Sequence, residues 1–98
     1  MSTMELPAHL EVTARMIRRA FPDGLSEADY LPLLTVLYPH MSHRNLAEVV
    51  SHVTGRDYAF VLNDVYGVQG GFGLHPDAVA AVHTRLLAVG FDAWSKED

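Results

Sequence analysis

Residues 26–39 read SEADYLPLLTVLYP, and this stretch decides the fold. Ser26 offers an N-terminal helix cap, and seven of the nine residues from 30 to 38 are apolar or aromatic. Because proline is tolerated only in a first helical turn, Pro32 predicts that this helix starts near residues 29–31. A short helix that is apolar on all sides belongs at the centre of a core, so further helices are expected around it.

Three neighbouring segments supply those helices. A first helix is predicted over residues 7–21, with one apolar stripe that contains Leu10, Ala14, Ile17 and Phe21. A third helix is predicted between the cap residue Ser42 and the terminating Gly55, with a stripe of Leu46, Val49, Val50 and Val53. A last helix opens at Pro76 and ends at Gly90, with Val79, Val82, Leu86 and Val89 facing the core.

Two segments leave alternatives open. Residues 58–66, YAFVLNDVY, could form a helix or two short strands around Asn63-Asp64. An isolated hairpin is marginally stable, so a helix is predicted. The four glycines of residues 67–73 predict a flexible loop, and residues 92–98 are expected to fray, with Trp94 either folded back or exposed.

The 98 residues predict one domain, 1–98, with an ordered core over about residues 7–91. Its class is all-α, a compact bundle of about five helices. The chain contains no cysteine, so disulfide and thiolate chemistry are excluded. Since neither a signal peptide nor an apolar run long enough for a membrane span is recognisable, a cytoplasmic protein without membrane contact is expected.

The order of several features resembles a known family. These features are FPDG at residues 21–24, DYLPLL at 29–34, a capped third helix, and a final helix opened by Pro76 that ends LLAVGF at 86–91. The chain is similar over about residues 10–92 to the small actinobacterial, chiefly mycobacterial, family catalogued as domain of unknown function 3349. That resemblance implies a bundle of about five helices. It implies no activity, cofactor or functional residue.

No catalytic or metal-binding constellation is recognisable, so neither an enzyme nor a cofactor is predicted. His40 and His43 are three residues apart, but they fall in a turn, and zinc needs three or four convergent ligands. The glycine-rich residues 67–73 lack the lysine of a phosphate-binding loop, and the helix after them opens with Asp77. No serine, histidine and acid are arranged as a nucleophile and its base.

Nucleic-acid binding is the alternative function. The segment from residue 30 to 38, the turn, and the helix that starts at Ser42 have helix-turn-helix spacing, in which the start of the second helix meets base edges. The candidate contacts are His43, Arg44, Asn45, Arg15, Arg18 and Arg19. A net charge of −5 argues against it, because lysine and arginine supply most of the affinity for phosphates.

The favoured function is contact with another protein or with a second copy of the chain. Five aromatic residues are only partly placed by the predicted core stripes. Each of them could fill the core, or they could lie at an interface, where aromatic side chains dominate the energetics. They are Tyr58, Phe60, Tyr66, Phe72 and Trp94. Because residues 57–98 are the more acidic part of the chain, a partner with basic residues around its contact is expected.

Overall fold

The structure is a computed structural model that describes residues 6–71 and 75–96. It contains six α-helices and a 3-10 turn: α1 (Ala8–Ala20), α2 (Glu27–Leu37), the turn Tyr38–His40, α3 (His43–Thr54), α4 (Tyr58–Gln69), α5 (Pro76–Leu87) and α6 (Phe91–Lys96). No strand occurs in the described residues, which confirms the all-α bundle. None of their helices has the length and apolarity to cross a membrane.

Helix α2 contributes several residues to the core, but the half-buried Leu31, Thr35 and Val36 show that it is not enclosed on all sides as predicted. It packs against α5 and α4, while α3 packs against α1 and α4. Leu33, Leu34 and Leu37 of α2 are completely buried. Burying a leucine side chain contributes about 1.5–3 kcal/mol, so each of these three residues is a substantial contributor to the core.

The predicted helix caps are confirmed. The Ser26 hydroxyl accepts a hydrogen bond from the backbone N–H of Asp29 at 3.3 Å, and the Ser42 hydroxyl accepts one from Asn45 at 3.1 Å. Gly55 ends α3 in the left-handed conformation with φ 78°, which glycine adopts without a steric cost. These caps set the ends of the two helices that pack against α4.

The predicted start of α2 near residues 29–31 is wrong. The helix begins at Glu27, directly after its cap, so Pro32 lies in its interior. A proline there has no N–H to donate to the preceding turn. Its ring is buried, and the apolar contacts of this buried ring offset the missing hydrogen bond.

The segment with two possible structures is helical, as predicted. Asp57 caps α4 by accepting a hydrogen bond from the backbone N–H of Ala59 at 3.2 Å. Val61, Val65 and Val68 form its buried side, and this packing overrides the strand preference of valine. The helix continues to Gln69, so the predicted loop is wrong for its first residues, from 67 to 69.

The expected fraying of residues 92–98 is wrong for residues 92–96, which belong to α6. Helix α5 ends at Leu87 instead of Gly90, and Gly90 turns the chain into α6 with φ 101°. Phe91 is buried, and the Trp94 indole Nε1–H donates to the buried Thr13 hydroxyl of α1 at 2.9 Å. Trp94 is therefore folded back onto the bundle.

Candidate functional site

The side of α4 that faces away from the core is the candidate functional site. Because an α-helix turns about 100° per residue, Ala59, Asn63 and Gly67 lie in one row along it. Phe60 and Tyr66 flank that row on opposite sides. We call these five residues the outer face of α4, and the buried Val61, Val65 and Val68 lie on the opposite side of the helix.

The outer face of α4 is uncharged and largely open to water. The Phe60 residue is 72% exposed and Tyr66 is 53% exposed. Ala59 and Asn63 are also exposed, and Gly67 is half-buried. None of the five side chains carries a charge. Helix α4 therefore leaves two aromatic rings exposed to water, one on each side of the polar but uncharged Asn63.

A polar network holds α4 against the start of α2. The buried Tyr30 hydroxyl donates to the Asp64 carboxylate of α4 at 2.7 Å. The Arg56 guanidinium lies 4.0 Å from the centre of the Tyr30 ring and pairs with Glu27 at 2.8 Å. Burial and the Asp64 bond raise the pKa of the Tyr30 hydroxyl above its usual value, and the Glu27 bond raises the pKa of Arg56. The network fixes how α4 presents its outer face.

The other end of the outer face contacts α3. The His43 and Tyr66 rings lie 4.8 Å apart between centroids, tilted by 45°. This contact holds the Tyr66 ring beside the start of α3, although more than half of the residue stays exposed. A partly immobilised aromatic side chain loses less conformational entropy when a partner covers it.

The five predicted interface residues fall in different places. Phe60 and Tyr66 lie together on the outer face of α4. Tyr58 is 37% exposed but lies about 140° around the helix from Asn63. Trp94 is half-buried against α1 and does not belong to this surface. Phe72 lies outside the described residues.

Trp94 instead separates two shallow clefts beside α1. The first has a volume of about 350 Å³, with His9 and Asn45 at its rim and Leu10 and Met41 among its apolar walls. The second contains Arg15, Arg19, Val89 and Gly90. Both clefts share Val12 and Trp94, and no carboxylate lines either of them.

A third, more open groove lies between α2 and α5. Its volume is about 560 Å³, and its lining is Val36, His40, Pro76, Val79, Ala80, His83 and Phe91. The rings of His40 and His83 both meet the Phe91 ring edge-on, at 5.4 and 5.3 Å between centroids. These aromatic contacts give both histidines a packing role. Within residues 6–71 and 75–96 no three histidine or acidic side chains converge as metal ligands.

The six residues predicted to contact nucleic acid lie in different packing environments. Arg44 is exposed at the first turn of α3, but His43 packs on Tyr66 and Asn45 lines the first Trp94 cleft. The three arginines of α1, Arg15, Arg18 and Arg19, are exposed. Arg15 and Arg19 line the second cleft. The first turn of α3 thus has one fully exposed side chain among three candidates, and base recognition by this turn stays a prediction.

No known protein family, curated protein or solved structure matches the chain in sequence or fold comparison. The resemblance to the family of unknown function therefore stays a prediction. The candidate site consequently depends on the chain's own geometry.

The sequence predicted Phe60 and Tyr66 as interface residues, but it did not predict the residues that hold α4 in position. Asp57 carries a signal that could have been used, since an aspartate directly before an apolar run is typical of a helix cap. No local sequence signal predicts the pairing of Tyr30 with Asp64, because the two residues are 34 positions apart in the chain.

Proposed function

We propose that this protein is a non-catalytic binding module that contacts a protein surface through the outer face of α4. One observation carries the proposal: Phe60, on a helix without a charged side chain on its outer face, is 72% exposed. Single exposed apolar residues are common on protein surfaces. Phe60 differs from such cases because Tyr66, a second exposed ring, lies on the other side of the same uncharged row of residues.

The shape of this surface suits a helical partner. A row of small residues lets a second helix approach closely, and aromatic residues on both sides supply contact area. The network around Tyr30 and Asp64 pre-orients α4, which lowers the entropic cost of binding. We place this contact in the cytoplasm, in keeping with the absence of cysteine.

Differential capture tests the proposal. Wild-type protein and the Phe60→Ser variant are immobilised, and each is offered the native lysate together with a differently tagged copy of the chain. Burial of a phenylalanine contributes about 1.5–3 kcal/mol, so Phe60→Ser should weaken binding roughly 10- to 100-fold. We expect a defined protein, the tagged copy included, that wild type retains and Phe60→Ser loses.

The matched control is Leu87→Ser, because Leu87 is a 45% exposed apolar residue on α5. This variant should retain whatever the wild type retains. Both substituted positions are exposed, so circular dichroism should show helix content equal to that of the wild type. If no captured protein depends on Phe60 and the wild type is also monomeric at about 500 µM, or if Leu87→Ser loses the captured protein equally, the outer face of α4 is not the binding surface.

A further inference from the structure

The exposed residues of α4 follow a symmetric pattern around Asn63. Residues 59–67 read AFVLNDVYG. Three positions from Asn63 in either direction lies an aromatic residue, Phe60 or Tyr66. Four positions away in either direction lies a small residue, Ala59 or Gly67. A surface that binds its own copy through a two-fold axis must be self-complementary, and a pattern that is symmetric about one residue meets this requirement.

Helix geometry turns this pattern into a fit between aromatic and small residues. Three residues turn a helix by about 300°, so Phe60 lies about 60° to one side of the Asn63 row and Tyr66 about 60° to the other. A two-fold axis that lies between the two helices, perpendicular to α4 at the level of Asn63, reverses the direction of the second helix. Residues on one side of the Asn63 row stay on that same side of the pair. Phe60 then lies over Gly67 of the second copy, and Tyr66 lies over Ala59 of the second copy.

Asn63 suits the position on the axis. An asparagine side chain has both donor and acceptor groups, so two asparagines that face each other can pair through their amides. A single asparagine at a helix contact also fixes register, because any shift leaves its polar groups unpaired. The antiparallel arrangement places the positive end of each helix dipole beside the negative end of the other.

We infer that the partner of the outer face of α4 is a second copy of this chain, in a two-fold antiparallel helix pair centred on Asn63. The inference rests on the proposed function and specifies its partner. The outer face of α4 carries no charge, so the pairing brings no like charges into direct contact. The rest of the chain has a net charge of −5, so added salt should strengthen the pair by screening the repulsion.

The expected pair is weak. Helix α4 has 12 residues and is therefore about 18 Å long. A contact made mainly by one such helix falls into the small interface class, below about 1,200 Å² in total, which is typical of transient association. We therefore expect a reversible monomer–dimer equilibrium that becomes visible only in concentrated solution.

Sedimentation equilibrium with charge swaps at Asn63 tests the inference. Asn63→Asp brings two carboxylates together on the axis, and Asn63→Lys brings two ammonium groups together. Each variant alone should dimerise at least about tenfold more weakly than the wild type, whereas an equimolar mixture should recover dimerisation, because opposite charges then meet. Recovery by mixing is specific to a residue that meets its own copy. Leu87→Ser is the control and should dimerise like the wild type.

Three results would overturn the inference. They are a monomeric wild type at about 500 µM, a concentration at which weak interfaces are populated; a mixture no more dimeric than the separate variants; and dimerisation that weakens as salt is added. A weakening by salt would indicate a partner surface of opposite charge. If the wild type is monomeric but retains a different protein through Phe60, the proposed function stands and the inference of a second copy fails.

Discussion

Tyr30 shows how one residue connects distant parts of this chain. Its ring is buried and lies under the Arg56 guanidinium, and its hydroxyl donates to Asp64. A hydrogen bond to a charged group contributes about 1.5–3 kcal/mol to stability. The bond joins α2 to the helix that carries the candidate site, so its loss affects the position of that site as well as stability.

The raised pKa of Tyr30 predicts a stability loss at alkaline pH. Above about pH 10, the usual tyrosine value, unfolded Tyr30 releases its proton, while folded Tyr30 keeps it because burial and Asp64 disfavour the charged form. The unfolded state then binds fewer protons, and the free energy of unfolding falls as pH rises.

Urea unfolding of wild type and Tyr30→Phe between pH 8 and about pH 11 measures this effect. The variant should be less stable at pH 8 by about 1.5–3 kcal/mol, the contribution of one charge-assisted hydrogen bond. The difference between the two proteins should shrink above about pH 10. A difference that stays constant over the whole range would show that the Tyr30 proton is not linked to folding.

Single residues also mark what can be predicted from the sequence. Ser26, Ser42 and Gly55 act within three or four residues of themselves, so their roles as caps and terminator follow from local chemistry. Pro32 breaks the local rule that restricts proline to the first helical turn, because tertiary packing of its buried ring overrides that rule. Asp64 has no sequence neighbour that explains it, because its partner Tyr30 comes from another helix.

Helix α6 is the element that depends most on distant contacts. It has six residues, and a helix this short does not persist in water without tertiary packing. Its anchors are the buried Phe91 and the bond from Trp94 to Thr13, a residue 81 positions earlier. The sequence predicted fraying of this segment, and the anchoring partners that prevent it are invisible to local patterns.

The Trp94→Phe variant should loosen α6 and leave the remaining bundle intact. The substitution removes the indole N–H and leaves the buried Thr13 hydroxyl without its partner, at a cost of about 1–2 kcal/mol. Amide hydrogen exchange should therefore become about 5- to 30-fold faster in residues 91–96 and stay unchanged in α3.

The control for α6 is Lys96→Ala. Lys96 forms an exposed ion pair with Asp92 at 3.4 Å, and exposed pairs of this kind contribute little. Its exchange pattern should match that of the wild type. Equal acceleration in α3 and α6 for Trp94→Phe would show that the tryptophan supports the whole fold instead of docking one helix.

Helix α4 was the hardest element to predict and is the one that carries the candidate functional site. Its valines and aromatics favour a strand, and its helical structure follows from packing of Val61, Val65 and Val68 on the core. The sequence left its aromatics only partly placed by the predicted core stripes. The sequence could not predict that Trp94 docks against the bundle while Phe60 stays exposed, because this difference in burial arises only when the helices pack together.

At the scale of the whole molecule, the bundle combines an acidic surface with one uncharged helix face. A net charge of −5 keeps copies of the chain apart in dilute solution. In the proposed pair, the outer face of α4, whose five residues include no carboxylate, supplies the opposing attraction. The balance between these two contributions predicts an association that depends on both protein concentration and salt.

The most direct test of the central claim is a series of ¹H–¹⁵N NMR spectra of the wild type from about 20 µM to about 1 mM, the range in which a small interface becomes populated. The account predicts amide shifts that grow with concentration and are confined to residues 59–67 and their neighbours at the start of α3. Concentration-dependent shifts centred on the α1 arginines or on Trp94, or spectra unchanged over the whole range, would contradict it.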